Sequence, residues 1–98
     1  MSDLPRALII DASDNVATAM TEIQAGSEVA VESGHEQNMV VVTEAIDFAH
    51  KFAIADIEKG QEVRKYGASI GIATADIASG MHVHVHNIKG QRGGGDSA

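Results

Sequence analysis

Three imidazoles alternate with valine near the end of the chain, in His82-Val83-His84-Val85-His86, and Asn87 follows. Alternation is the period of a β-strand, so the three rings are expected on one face of a strand over residues 82–86. Neighbours at i and i+2 then stand roughly 6.5–7 Å apart, and His82 and His86 about 13 Å apart. Two such rings can lean onto one cation at about 2.0–2.1 Å from each nitrogen, so a single ion takes two of the three. A neutral imidazole also accepts or releases protons near pH 7. The pattern has a plainer use as well: Val83 and Val85 can enter a core while the histidines face water.

Four further places carry groups of the right kind. His50-Lys51 opens an apolar run, so one side chain can face a cleft while the other faces away; Lys51 can equally be a solvated lysine at a strand edge. Lys65 precedes Tyr66-Gly67, a turn in which Tyr66 is expected as a core aromatic. Asp14-Asn15 can point side chains at a ligand or simply cap the next element. His35 falls in a polar stretch and reads as a solvated loop residue.

A chain of 98 residues makes one domain with a single core and little surplus stability. Phe48, Phe52 and Tyr66 are its only aromatics, so the core must be aliphatic and thin. A deep pocket does not fit in such a core, and a chemical site is better shared with a partner. Cysteine is absent, which excludes a disulfide frame and thiolate metal sites. There is no run of 18 apolar residues and the N-terminus lacks a signal-peptide pattern, so no membrane association and a cytoplasmic location are expected. The net charge of −7 argues against general nucleic-acid binding. That charge is uneven: nine acidic residues face Arg6 alone up to Ala49, whereas six basic residues face five acidic ones from His50 onward. The second half is the better host for an anionic small molecule.

The elements that must position these groups are short. Ala7 to Ile10 reads as a first strand. Val16, Ala19, Met20 and Ile23 fall at i, i+3, i+4 and i+7, which predicts a helix over 15–24, capped by Ser13 or Asp14 and ended by Gly26. Glu28 to Glu32 alternates as a half-buried strand, residues 33–38 form a polar turn, and Met39 to Thr43 is the next strand. The phrase Asp-Ile-x-x-Gly then occurs twice, at Asp56 to Gly60 and at Asp76 to Gly80, each time one residue ahead of an alternating segment. Its glycine suits a positive-φ turn and its isoleucine an anchor in the core. Ser69 to Thr74 supplies another strand. The chain is expected to be mostly β, with six to eight short strands and one short helix over residues 1–89, and a flexible glycine-rich tail over 90–98.

Taken in order, Asp14-Asn15-Val16-Ala17-Thr18-Ala19, His50-Lys51, Asp56-Ile57-x-x-Gly60, Lys65-Tyr66-Gly67, Ile70-Gly71-x-Ala73-Thr74-x-Asp76-Ile77, Gly80 and His84-x-His86-Asn87 resemble the small or N-terminal domain of altronate and galactarate dehydratases. The resemblance covers roughly residues 7–92. It implies a SAF domain with the β-clip fold, fused to or assembled with a large dehydratase subunit. Ala49 departs from the pattern, standing where glycine is expected before His-Lys, which bears on how closely the backbone there can approach a ligand.

The reaction so implied is loss of water from a sugar acid to give a 2-keto-3-deoxy acid, with a divalent metal, iron, supplied partly by the large subunit. On that reading His84 and His86 are the metal ligands, and His50, Lys51 and His86 the catalytic residues. Asp14, Asn15, Lys65 and Asn87 then contact the substrate, and His82 is a bystander on the same face. The small subunit alone is expected to be inactive, and whether it self-associates is left open. Two alternatives stand beside this: the small subunit of a related lyase such as sulfolactate sulfo-lyase, and a non-catalytic β-clip module that binds a carbohydrate or a protein.

Overall fold

The protein is described from a computed structural model, which covers residues 4–33, 36–84 and 86–90. The glycine-rich tail expected beyond residue 90, His35 and Val85 lie outside the described residues. Among the described residues there are nine strands: β1 (Arg6–Leu8), β2 (Val16–Ala19), β3 (Glu28–Ser33), β4 (Glu36–Val41), β5 (Lys51–Ala53), β6 (Glu62–Lys65), β7 (Ala68–Ala73), β8 (His82–Val83) and β9 (Ile88–Lys89). Six form one sheet in the order β4-β3-β1-β2-β5-β8, and β6-β7-β9 form a second. Every pairing is antiparallel except β1 with β3. The mostly-β, β-clip expectation holds.

The helix expected over 15–24 is not there; no described residue is helical. Residues 16–19 pair instead with β1 on one side and β5 on the other, Ala17 opposite Phe52 and Val16 opposite Ala53. The physical reason is burial on both faces. Ala17 and Ala19 enter one core with Phe52, Ile23 and Ile46, while Val16 enters a second with Ala53, Val63 and Val83. An amphipathic helix buries a single stripe and would leave β1 and β5 without their shared neighbour, so the tertiary ladder overrides the 3.6-residue pattern. Met20, placed on the apolar face of that helix, is exposed.

One turn recurs four times. Glu22 to Gly26, Ala45 to Ala49, Asp56 to Gly60 and Asp76 to Gly80 each bury an isoleucine and end on a positive φ, at 85°, 72°, 91° and 93° respectively. The isoleucines meet in pairs as isolated bridges, Ile23 with Ile46 and Ile57 with Ile77. In the second pair each aspartate caps the other's turn: the Asp56 carboxylate accepts the Ser79 N–H and Asp76 accepts the Lys59 N–H, both at 2.9 Å. Gly80 is required twice over, because a side chain there would also strike the Val41 carbonyl.

Two more expectations are corrected. The polar segment at 36–38 belongs to β4, where Asn38, Gln37 and Glu36 pair in register with Val31, Glu32 and Ser33. Tyr66 is exposed rather than in the core. With φ of 57° at Tyr66 and 77° at Gly67, and Lys65 opposite Ala68, the β6–β7 loop is a two-residue hairpin turn of type I′, which throws the phenol outward.

Candidate metal centre

β5 and β8 are neighbours in the large sheet, with Phe52 opposite His82 and Lys51 opposite Val83. Opposed residues of antiparallel strands share a face, and so do residues two apart. His50, Phe52 and His82 therefore lie on one side of the sheet, Lys51 and Val83 on the other.

The strand expected over 82–86 is shorter than the sequence suggests. β8 ends at Val83 and the chain turns, with the Asn87 N–H donating to the His84 carbonyl at 3.0 Å. Asn87 closes this turn from inside. Its side-chain oxygen accepts the His84 N–H at 2.9 Å and its amide donates to the His82 carbonyl at 2.8 Å, at only 5% exposure. The reversal brings His86 back over His82, with ring centroids 5.4 Å apart.

The result is a stack of half-buried imidazoles. His50 lies 5.2 Å from His82 and 5.0 Å from His84, centroid to centroid, and His82 lies 5.5 Å from His84, all with nearly parallel rings. Nδ1 of His50 and Nε2 of His82 are 3.0 Å apart, so one neutral ring donates to the other. Burial pushes the His82 pKa down, the charges of His50, His86 and His84 add to this, and Glu44 opposes it. The shift favours the neutral ring, which has a lone pair to give.

This donor set fits a divalent cation. Metal–nitrogen bonds of about 2.0–2.1 Å place two adjacent ligand nitrogens about 2.9–3.4 Å apart in octahedral or tetrahedral geometry. The His50–His82 separation of 3.0 Å already falls there, and one nitrogen from each of His50, His82 and His84 lies within 4.8 Å of the others. Three imidazoles would leave further coordination positions open to water or substrate oxygens.

The expected site residues separate into groups. His50 and His84 stand in the three-ring set together with His82, which sequence reasoning had set aside as a bystander. His86 packs on His82 from outside the set and is exposed. Lys51 faces away from the rings across β5. Lys65 ends β6, its Nζ 4.8 Å from the centre of the Tyr66 ring. Asp14 is 6% exposed; one carboxylate oxygen accepts the Ile10 and Asp11 N–H groups at 3.2 Å and the other the Gly67 N–H at 2.8 Å. Burial raises its pKa, and backbone donors at Gly67, Asp11, Tyr66 and Ile10 together outweigh this and leave it lowered. Asn15 joins the two sheets, its oxygen accepting the Arg64 N–H at 2.8 Å and its amide donating to the Glu62 carbonyl at 2.9 Å. Asp14, Asn15 and Asn87 thus have their polar atoms on backbone. The one sequence signal that would have recovered His82 was Asn87, an Asx-type turn former straight after the histidines.

Residues 5–91 match the sequence profile of the altronate/galactarate dehydratase SAF domain. The chain belongs to that family. Altronate dehydratase of Escherichia coli (strain K12) is 46% identical over 80 residues, covering 82% of this chain and 15% of that enzyme. Altronate dehydratase of Bacillus subtilis (strain 168) is 37% identical over 81 residues, with the same coverage. The (2R)-sulfolactate sulfo-lyase subunit alpha of Chromohalobacter salexigens is 35% identical over 88 residues, covering 87% of this chain and 94% of that subunit. The SAF domain thus spans about 15% of the altronate dehydratases it matches and nearly all of the sulfo-lyase subunit. Among the described residues no helix is long and apolar enough to cross a membrane.

Proposed function

We propose that this SAF domain is the small subunit of a metal-dependent hydro-lyase. It would act with a large subunit in the cytoplasm to convert a sugar acid of the altronate or galactarate type to a 2-keto-3-deoxy acid. The observation that carries the reading is the set of three imidazole donors within 4.8 Å of one another. Elimination of water needs a base for the proton next to the carboxylate and an acid or Lewis acid for the departing hydroxyl. A divalent ion, iron in this reading, supplies that Lewis acidity. His50, His82 and His84 would hold it, with the remaining ligands from the large subunit or the substrate. His86, exposed at the edge of the stack, can receive or return a proton at a ring nitrogen. Burial of His82, with the neighbouring histidines adding to it, lowers its pKa and so favours the neutral ring that a metal needs.

A second reading has an observation of its own. The sulfo-lyase alpha subunit of Chromohalobacter salexigens is matched over 94% of its length, which supports the small subunit of a related lyase that expels sulfite. Co-expression with a large dehydratase chain, followed by assay on altronate, galactarate and sulfolactate, distinguishes the two. His50→Ala and His84→Ala are each expected to lower turnover by about 10- to 100-fold while the two chains still co-purify, as losses in a metal's ligand shell do. Full turnover by both variants would remove the histidines from the chemistry. An assembly inactive on all three acids would favour a binding module.

A further inference from the structure

β4 is the outermost strand of the large sheet and pairs with β3 alone. The direction of its free hydrogen-bonding groups follows from the strand beyond. The Ala30 N–H donates to the Pro5 carbonyl at 2.9 Å and the Glu32 carbonyl accepts the Ile9 N–H at 3.0 Å, so residues 30 and 32 face β1. Alternation then turns Val29, Val31 and Ser33 toward β4, where their partners are Val40, Asn38 and Glu36. The N–H and C=O groups of Gln37 and Met39 therefore point out of the sheet edge, and no strand among the described residues meets them. Farther along, the Val41 carbonyl lies against Gly80, which ends the free stretch.

The other sheet edges are blunted. β8 and β9 have two residues each, and β6 is irregular between Val63 and Arg64 and carries Glu62, Arg64 and Lys65. β4 has six residues in unbroken register, no proline, and a single charge at Glu36. An edge of that kind pairs with another strand unless it is covered. The face beside it is bare as well. Met39, Ala30, Arg6 and Met20 run in one rung from β4 to the end of β2, and Met39, Met20 and Val41 are all exposed. The second sheet covers this face only around Val16, Ala53 and Val83, nearer the other edge.

We propose that the β4 edge receives a strand of a different chain, apolar opposite Met39 and Val41 and basic at its flanks. Charge selects the occupant. Glu28 and Glu32 on β3 and Glu36 on β4 border the edge, and Arg6, the only lysine or arginine before Lys51, is already bound to Glu32 at 3.4 Å. Among the described residues no cation pairs with Glu28 or Glu36. A second copy would set these carboxylates, and a net charge of −7, against their own kind. Paired strands lie only about 5 Å apart, well inside the screening length of about 8 Å at physiological ionic strength. A strand with lysine or arginine there completes ion pairs while its backbone extends the ladder. In the assembly proposed above that chain is the large subunit, and the inference rests on that reading. The contact is separate from the histidine stack, because His50 and His82 lie on the other face of the sheet.

The test is amide hydrogen exchange on the full chain, alone and co-expressed with the large dehydratase chain. In the free chain the Gln37 and Met39 amides should exchange fast and those of Asn38 and Val40 slowly, because only the latter bond to β3. In the assembly the Gln37 and Met39 amides should slow by at least about tenfold. Met39→Pro removes the outward N–H and leaves the β3 ladder intact, whereas Met39→Lys keeps the N–H and sets a cation against the basic strand. Either should weaken association at least about tenfold. Lysine is an ordinary residue on a sheet edge, so Met39→Lys serves if the proline variant does not fold. Association with Gln37 and Met39 still exchanging as in the free chain, or undiminished in Met39→Lys, would overturn the edge contact and leave the two-chain reading standing. No association of the parent chain would overturn both. Protection of the two amides in the free chain, at the mass of a dimer, would give the edge to a second copy and overturn the proposed partner.

Discussion

Ala49 occupies a backbone conformation that its three sister turns give to glycine. Its φ of 72° crowds the β-carbon, which costs an L-residue roughly 1–2 kcal/mol. Ala49→Gly removes that strain but returns some backbone entropy to the unfolded chain, so a net stabilisation of about 1 kcal/mol is expected. Thermal unfolding of the variant checks it, and an unchanged or lower midpoint would show that the turn is not strained. His82 sets a pH dependence of known sign. Its folded pKa lies below the ordinary 6.5, so as the pH falls through 6.5 the unfolded chain takes up a proton that the folded chain resists. The contribution is therefore intact above pH 6.5 and lost as the pH falls through the lowered folded value. Urea midpoints should drop between pH 7.5 and 5.5 in the parent chain and drop less in His82→Gln. Equal declines would remove His82 as the cause.

At the scale of elements, two of the four repeated turns, at 56–60 and 76–80, were legible, because isoleucine anchors and positive-φ glycines carry a local signal. Two copies were hidden only because Glu22 and Ala45 replace the aspartate, and Ala49 the glycine. The helix expected over 15–24 failed for a non-local reason. Val16 to Ala19 satisfies both periods, and only the neighbours β1 and β5, distant in sequence, decide between them. The site was legible in composition but not in grouping. Strand periodicity kept His82 and His86 about 13 Å apart, whereas the Asn87 turn folds one ring onto the other. That turn should be as important as the rings. Asn87→Ala removes two buried hydrogen bonds and is expected to cost about 2–3 kcal/mol in chemical denaturation. It should also release His86 from His82, visible as a changed His86 imidazole resonance. A loss below about 0.5 kcal/mol would mean that the turn holds without its cap.

At the scale of the whole molecule, the core is filled by aliphatic residues and Phe52, and the histidine stack lies outside it, with His50, His82 and His84 half-buried and His86 exposed. On the proposed reading such a site would gain its remaining walls from a large subunit; the domain forms 15% of one relative and nearly all of a lyase subunit in another. The chain alone should therefore show no appreciable dehydration of altronate or galactarate, and addition of the large subunit should produce it. Robust turnover by the small chain alone would contradict that division of labour. The claim on which the functional reading turns is that His50, His82 and His84 jointly hold one divalent ion. Anaerobic calorimetric titration of the folded chain with Fe(II) tests it most directly, set beside the same titration of His82→Ala. The predicted result is saturation at one ion per chain, with affinity at least tenfold weaker in the variant, as loss of one ligand of three requires. Binding of equal strength in the two proteins, or no saturable binding in either, would contradict the account.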